Sequence, residues 1–396
     1  MELNKKVSII NKEQIQLIIA LSLAIFSPNY SQFQMSPISA EIIAHYHFTT
    51  PQFVSLFTAP MMTAIFLSVI SGSIVDRFGY RWVIFISLFI SLIGTVARIF
   101  VSSYVAFFIS MIGIGFSATF INANLAKILG IWFDRSKFQV MLGGILAVST
   151  VAMTIALGTT AFFNRTTLAF ECAALINLVA VIAWPILVRE KQGVNTHQNE
   201  EKLGKMMIRV IRFKPMWLIG LSLFCVMGGY MTMSSFLPMI MSEKGYTNEM
   251  AGVMSSLLTF GNLVGCLIMP AIIGRLNRRR LSIGIMAFIV ALLSIWFTLW
   301  NSSVILGAIL LIMGIIIGGL IPTFMSLPMM FSRIGQKYSG TAGGFIGMLQ
   351  LMGAVIFPSY VIAPLTLSAN QFFYAVSIIF ILVIASMVTI PFSEIE

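Results

Sequence analysis

Seven neutral polar side chains interrupt the long apolar stretches of this chain: Asn29, Tyr30, Gln34, Asn122, Tyr230, Asn262 and Gln350. Such groups donate and accept hydrogen bonds, and in apolar surroundings each needs a partner. They can recognise a solute or tie one helix to another. They cannot by themselves break a covalent bond. Tyr30 and Gln34 are four apart and share a helical face, and Pro28 loosens the helix at the same depth. Lys127 stands about a turn from the end of its stretch, where snorkelling to the surface competes with a role inside. Arg98, near the end of another stretch, reads as a snorkelling side chain.

The residue types for covalent chemistry are not arranged to do it. The sequence has no nucleophile–base constellation, no HExxH and no phosphate loop. Cys172, Cys225 and Cys266 lie in apolar runs without CxxC spacing, so they read as packing residues. His45 and His47 read as an exposed loop rather than a metal pair. Glu41 and Glu171 lie near the ends of apolar runs, and no carboxylate lies deep inside one. A proton relay usually needs such a carboxylate, so Glu41 is a candidate only by default. We expect no enzyme activity, no cofactor and no metal.

The elements that hold these residues are membrane spans. Only 9% of residues are charged and 58% are hydrophobic, against about 25% charged in a soluble protein. Twelve apolar runs are each long enough to cross a bilayer: 14–42, 52–74, 82–100, 104–131, 138–162, 167–188, 216–241, 250–273, 281–299, 303–331, 339–365 and 371–391. None alternates as a barrel strand would. The first run continues without a small-residue cleavage site and reads as a span rather than a signal peptide. The expected fold is an all-α membrane protein of twelve helices in two six-helix bundles, 1–188 and 215–396. A polar linker, 189–214, joins them and carries a short surface helix.

The net charge of +11 is topological. Twenty of the 24 Lys and Arg residues fall at the N-terminus, in the linker and in the loops after spans 2, 4, 8 and 10. That is the positive-inside pattern, which places both termini in the cytoplasm and argues against a nucleic-acid partner. Trp82, Trp132, Trp184, Trp217 and Trp300 fall near span ends, with Trp296 one turn inside, as an interfacial belt would. The halves echo one another. Tyr30 and Tyr230 are 200 apart, as are Gly143-Gly144 and Gly343-Gly344. Small-residue pairs such as Gly261/Gly265, Gly314/Gly318 and Gly343/Gly347 permit close helix contact.

A charged turn links spans 2 and 3. Its Gly72, Asp76, Arg77, Gly79 and Arg81 resemble the loop 2–3 signature GxxxDRxGxR of the major facilitator superfamily. The Lys127–Arg135 stretch and the Gly-Thr-Ala-Gly-Gly run from Gly340 resemble the cyanate-permease, nitrate and organic-anion branches. The resemblance implies a secondary transporter, monomeric and without a cofactor, in a bacterial plasma membrane. Its partners would be a small-molecule substrate, membrane lipid and a coupling proton or ion. It implies that spans 1, 2, 4, 5, 7, 8, 10 and 11 line a cavity, which assigns the seven polar residues and Lys127 to substrate binding. It implies gating by the turn, with Asp76 meeting the start of span 11 near Ser339-Gly340 and Arg77 or Arg81 pairing with Asp134. Those branches tend to hold an anion on a cation inside the cavity, and here no lining span carries one at mid-depth. The drug–proton antiporter signatures are missing from spans 4 and 5. A small polar organic solute, with an anion as one option, is therefore the leading expectation. A multidrug or lipophilic-compound exporter is the alternative.

Overall fold

A computed structural model describes residues 11–163, 165–190, 208–275, 279–331, 334–365 and 367–390. The helices are α1 (Lys12–Phe33), α2 (Ser39–Tyr46), α3 (Thr50–Phe78), α4 (Tyr80–Phe100), α5 (Tyr104–Trp132), α6 (Arg135–Thr159) and α7 (Thr166–Leu187). They continue with α8 (Lys214–Glu243), α9 (Asn248–Arg275), α10 (Arg279–Phe297), α11 (Ser303–Ser326), α12 (Gly335–Ile356) and α13 (Ala369–Thr389). Eleven of these, α3 to α13, are long and apolar enough to cross a membrane.

The expected first span is broken. α1 stops at Phe33, the chain turns through 34–38, and α2 follows. Pro37 has no N–H to offer and disfavours helix in the residue before it. The backbone tightens there, with Met35 N bonding Gln32 O and Ser36 N bonding Phe33 O. α1 has 22 residues, enough to cross, but Ser27 to Gln32 make it polar. Its packing against α5, α6 and α7 covers that polarity.

Helices α1 to α7 pack chiefly on one another, and so do α8 to α13. The two sets meet where α6 crosses α9 and where α3 crosses α12. Within the second set, α9 and α11 touch backbone to backbone. A Cβ added at Gly265 would sit 2.0 Å from the Ile315 carbonyl oxygen, and one at Gly318 would sit 2.1 Å from that of Asn262. The pair Gly343/Gly347 differs from expectation. A Cβ at Gly343 would meet nothing within 4 Å, and one at Gly347 only the end of Met325.

Two tryptophans are not part of an interfacial belt. Trp184 is fully buried and donates to the Arg81 carbonyl at 2.9 Å. Trp132 is 6% exposed and donates to the Tyr80 hydroxyl at 3.0 Å. Both read as belt residues because they fall at span ends, where an indole N–H can equally well bond a neighbouring helix end. Trp82, Trp217, Trp296 and Trp300 are exposed. Most of the linker, 191–207, lies outside the described residues. Residues 208–211 are helical, and Trp217 donates to the Ile211 carbonyl at 2.8 Å.

Candidate functional site

One face of α5 is exposed although it lies at membrane depth. It carries Asn122, Ala123, Ala126, Lys127 and Gly130, which recur at helical spacing. A lipid-facing surface in this protein looks different: on α4 it is Trp82, Ile86, Phe89, Ile93 and Phe100. Small and polar residues suit a water-lined wall better than a lipid-facing one, and we read this face of α5 as one wall of a cleft. Gly143 and Gly144 on α6 and Gly343 and Gly344 on α12 also look onto open space. All lie toward the end of the bundle that bears the basic turns, which is where a cleft lined by them would open. Asn29 and Gln350 are half-buried, and the Asn29 amide donates to the Ile25 carbonyl of its own helix at 2.8 Å.

The opposite end is sealed. On α8 every residue from Gly228 to Pro238 is buried. The Ser36 hydroxyl, in the turn after α1, donates to the Ser234 carbonyl at 2.6 Å and approaches that of Ser235 at 3.1 Å. The Thr58 and Ser359 hydroxyls are hydrogen-bonded to each other across α3 and the turn after α12. Beside them α6 lies against α9, so a Cβ at Gly252 would sit 2.7 Å from the Leu157 carbonyl oxygen.

The expected binding residues divide between these regions. Asn122 and Lys127 are exposed on the cleft, whereas Tyr30, Gln34, Tyr230 and Asn262 are buried. Tyr30 lies beside Thr159 and Thr160, and its ring stacks on Phe26 at 5.8 Å. The Tyr230 hydroxyl faces Ser234 without reaching hydrogen-bond geometry. The Asn262 amide nitrogen has no partner. Residues the sequence reading passed over hold this end together, among them Gln32, whose amide donates to the Phe57 carbonyl at 2.8 Å.

Arg98 does not snorkel. It is fully buried. Its Nη1 donates to the Ser31 carbonyl at 2.6 Å, and its guanidinium lies over the Phe170 ring at 4.6 Å. In the orientation that satisfies both ends of the Gln34 amide, its oxygen accepts from Arg98 Nη2 and its nitrogen donates to the Ala169 carbonyl at 2.9 Å. Gln34 is thus engaged by protein groups. Among the described residues no carboxylate pairs with Arg98, and the titratable groups facing it are Tyr30 and Tyr46. Tyr46 belongs to α2, beyond the spans. Burial raises its pKa above the ordinary phenol value, while the Arg98 charge pulls it back. A signal for this burial was present in the sequence. Ser87, Ser91, Gly94, Thr95 and Arg98 share one face of α4, and all five are buried.

A sequence model of the family described as "Major Facilitator Superfamily" matches residues 15–358. The chain belongs to the Major Facilitator Superfamily. Members of this superfamily are also its structural neighbours. A bacterial homolog of the human lysosomal transporter Spinster, solved inward-facing and occupied, superimposes with a TM-score of 0.80 at 13% identity, covering 98% of this chain and 99% of that one. The nucleoside transporter NupG gives 0.77 at 13% identity, covering 96% and 99%. Among curated proteins, the cyanate transport protein CynX of Escherichia coli is 24% identical over 183 residues, 46% of this chain and 45% of CynX. The chain thus matches about half the length of that relative. An uncharacterized protein of Archaeoglobus fulgidus is 21% identical over 178 residues, 45% of this chain and 80% of that protein.

The superfamily signature turn makes contacts other than those expected. Gly79 alone separates α3 from α4, with φ +81°, a conformation that favours glycine. Arg81 pairs with the end of α7: its guanidinium donates to the Pro185 carbonyl at 2.9 Å, and its backbone N–H to Glu190 Oε2 at 3.2 Å. Arg77 is exposed and stacks over Phe78 at 5.3 Å. Asp134 is exposed at the start of α6 and forms no ion pair with Arg77 or Arg81 among the described residues, and Arg81 is engaged by the end of α7 instead. Gly72 looks onto open space. The side chain of Asp76 and those of 335–340 lie outside the described residues, so the Asp76 contact to span 11 does too. Glu41 is exposed near the sealed end and accepts from Thr166 at 2.9 Å.

Proposed function

We propose that this chain is a secondary transporter that moves a small polar organic solute across the membrane by alternating access. The observation that carries this is the asymmetry of one pathway: a wet cleft open at the basic end and a seal of cross-chain hydrogen bonds at the other. The two sets, each with six long helices once the short α2 is set aside, would be the bundles that rock about it. By the positive-inside rule the open end faces the cytoplasm, as do both termini, and the membrane is a bacterial plasma membrane. In support, the start of α1 meets the end of α5 through Gln14 and the Trp132 carbonyl, while Arg280 bonds Val388 near the end of α13.

Within the cleft, Asn122 and Lys127 are the recognition groups, with Asn29 and Gln350 beside them. An exposed ammonium among small residues suits an anionic solute, and the partial likeness to a cyanate transporter points the same way. Tyr30 and Tyr230 lie toward the sealed side and Asn262 is buried midway along α9, so these would meet the solute only after the pathway changes over. Asn262 and Tyr230 keep an unmet hydrogen-bonding atom for that state.

The test is thermal unfolding of the purified protein against small organic anions, neutral polar metabolites and lipophilic cations. A ligand at 100 times its dissociation constant adds about 2.7 kcal/mol. A shift with a small anion, lost in Lys127→Ala, is the expected result. A shift with lipophilic cations alone would overturn it in favour of an exporter of such compounds.

A further inference from the structure

Arg98 lies on α4, a helix with no part in the cleft, yet it is the residue that completes the end of α1. In a regular helix the Ser31 carbonyl would accept from the N–H of residue 35. Here Met35 N bonds Gln32 O instead, because the chain tightens toward Pro37. That leaves the Ser31 carbonyl without a backbone donor, in a buried place where an unmet acceptor is costly. Arg98 Nη1 fills that vacancy. Its positive charge also sits where the helix dipole is negative. The second guanidinium arm holds Gln34, which is fastened in turn to Ala169 of α7. Two residues further on, Ser36 makes the seal to α8.

We propose that Arg98 is a positioning residue for the transport cycle: it pins the broken end of α1 so that Ser36 is presented ready-ordered to the Ser234 and Ser235 carbonyls. Arginine suits the task because its planar fork reaches two acceptors at fixed geometry while Phe170 covers its face. Lysine would bring the charge without the fork. Without the pin, the 34–38 turn must be ordered each time the seal forms, and that entropy weakens the sealed state against its alternative. The proposal rests on the alternating-access reading above.

The experiment uses the full chain with Cys172, Cys225 and Cys266 replaced by serine. Single reporter cysteines are placed at Ser235, behind the seal, and at Asn122, in the cleft. A membrane-impermeant maleimide is added from either side of the membrane, and rates are taken per folded protein. Arg98→Leu is expected to raise labelling of the Ser235 reporter from the sealed side about fivefold and to lower labelling of the Asn122 reporter reciprocally. Ser36→Ala should do the same, and Arg98→Lys should fall between parent and Arg98→Leu. Gln34→Leu, which keeps the Ser31 contact, serves if Arg98→Leu does not fold. A rise at Ser235 with no fall at Asn122 would mean local loosening and would overturn the proposal. So would unchanged rates in the Arg98 and Gln34 variants beside a reciprocal shift in Ser36→Ala. No reciprocal shift in any variant, Ser36→Ala included, would sink the alternating-access reading and the proposal with it.

Discussion

The hydroxyl oxygens of Thr58 and Ser359 lie 2.7 Å apart and join α3 to the π-helical turn Phe357–Ile362 that follows α12. Each can donate or accept, and both are buried. One neutral hydrogen bond contributes about 1 kcal/mol, or about fivefold in an equilibrium. Thr58→Val keeps the shape and removes the bond. It is expected to move the population about fivefold toward the state open at that end. Distance distributions between spin labels across the seal would report this; an unchanged distribution would show that the bond does not hold the seal.

The glycines fall into two kinds with opposite expected behaviour. Gly265→Ala would drive a Cβ to 2.0 Å from the Ile315 carbonyl oxygen, a backbone atom that cannot step aside. It is expected to cost about 1–3 kcal/mol of stability. Gly344→Ala meets nothing within 4 Å and should stay within about 0.5 kcal/mol of the parent. It should still slow transport if, as proposed, this surface closes when the pathway changes over. Melting temperature and uptake measured on both variants separate the two effects.

Gly79→Ala tests the one-residue break between α3 and α4. With φ +81° and ψ 146° the backbone lies where side chains are strained, by about 1–3 kcal/mol. The added Cβ would also come within 2.7 Å of Glu190 Oε1. Lower thermal stability is the expected outcome, and Gly72→Ala, facing open space, is the matched control that should not show it.

Asp76→Asn addresses the carboxylate of the turn. An aspartate adds little to a positive-inside signal, so its value should lie in gating. Transport is expected to fall severely while yield and melting temperature hold. Normal uptake by a well-folded variant would remove Asp76 from the mechanism.

Much of the architecture was legible from hydropathy alone, since a bilayer imposes its thickness on every span. Helices α4 and α7 begin and end within two residues of the expected runs. The superfamily and the glycine at 79 in its signature were legible too, but the open surface at Gly343 and Gly344 was not, since Gly343/Gly347 read as a close helix contact. What hid was pairing between helices. Hydropathy treats residue 98 as a charge near an edge, whereas its partners, the Ser31 carbonyl 67 residues earlier and the Gln34 amide, come from the end of α1 and the turn after it. Counting that reads along one helix found Tyr30 and Gln34 on a common face but not that Gln34 turns to Arg98. The engagement of Arg81 by the end of α7, in place of Asp134, was hidden for the same reason.

The burial of Arg98 also bears on how the chain enters the membrane. A ribosome delivers α1 first, so the Ser31 carbonyl and the Gln34 amide exist before the guanidinium that needs them. Phe170 and Ala169, on α7, are made after both. An arginine at the centre of a bilayer costs about 3 kcal/mol on insertion scales, and one in the last turn of a span, as Arg98 is, costs less but still needs its acceptors once buried. The order of synthesis therefore sets acceptors in place ahead of the donor, and α4 is threaded beside a helix already able to receive its charge.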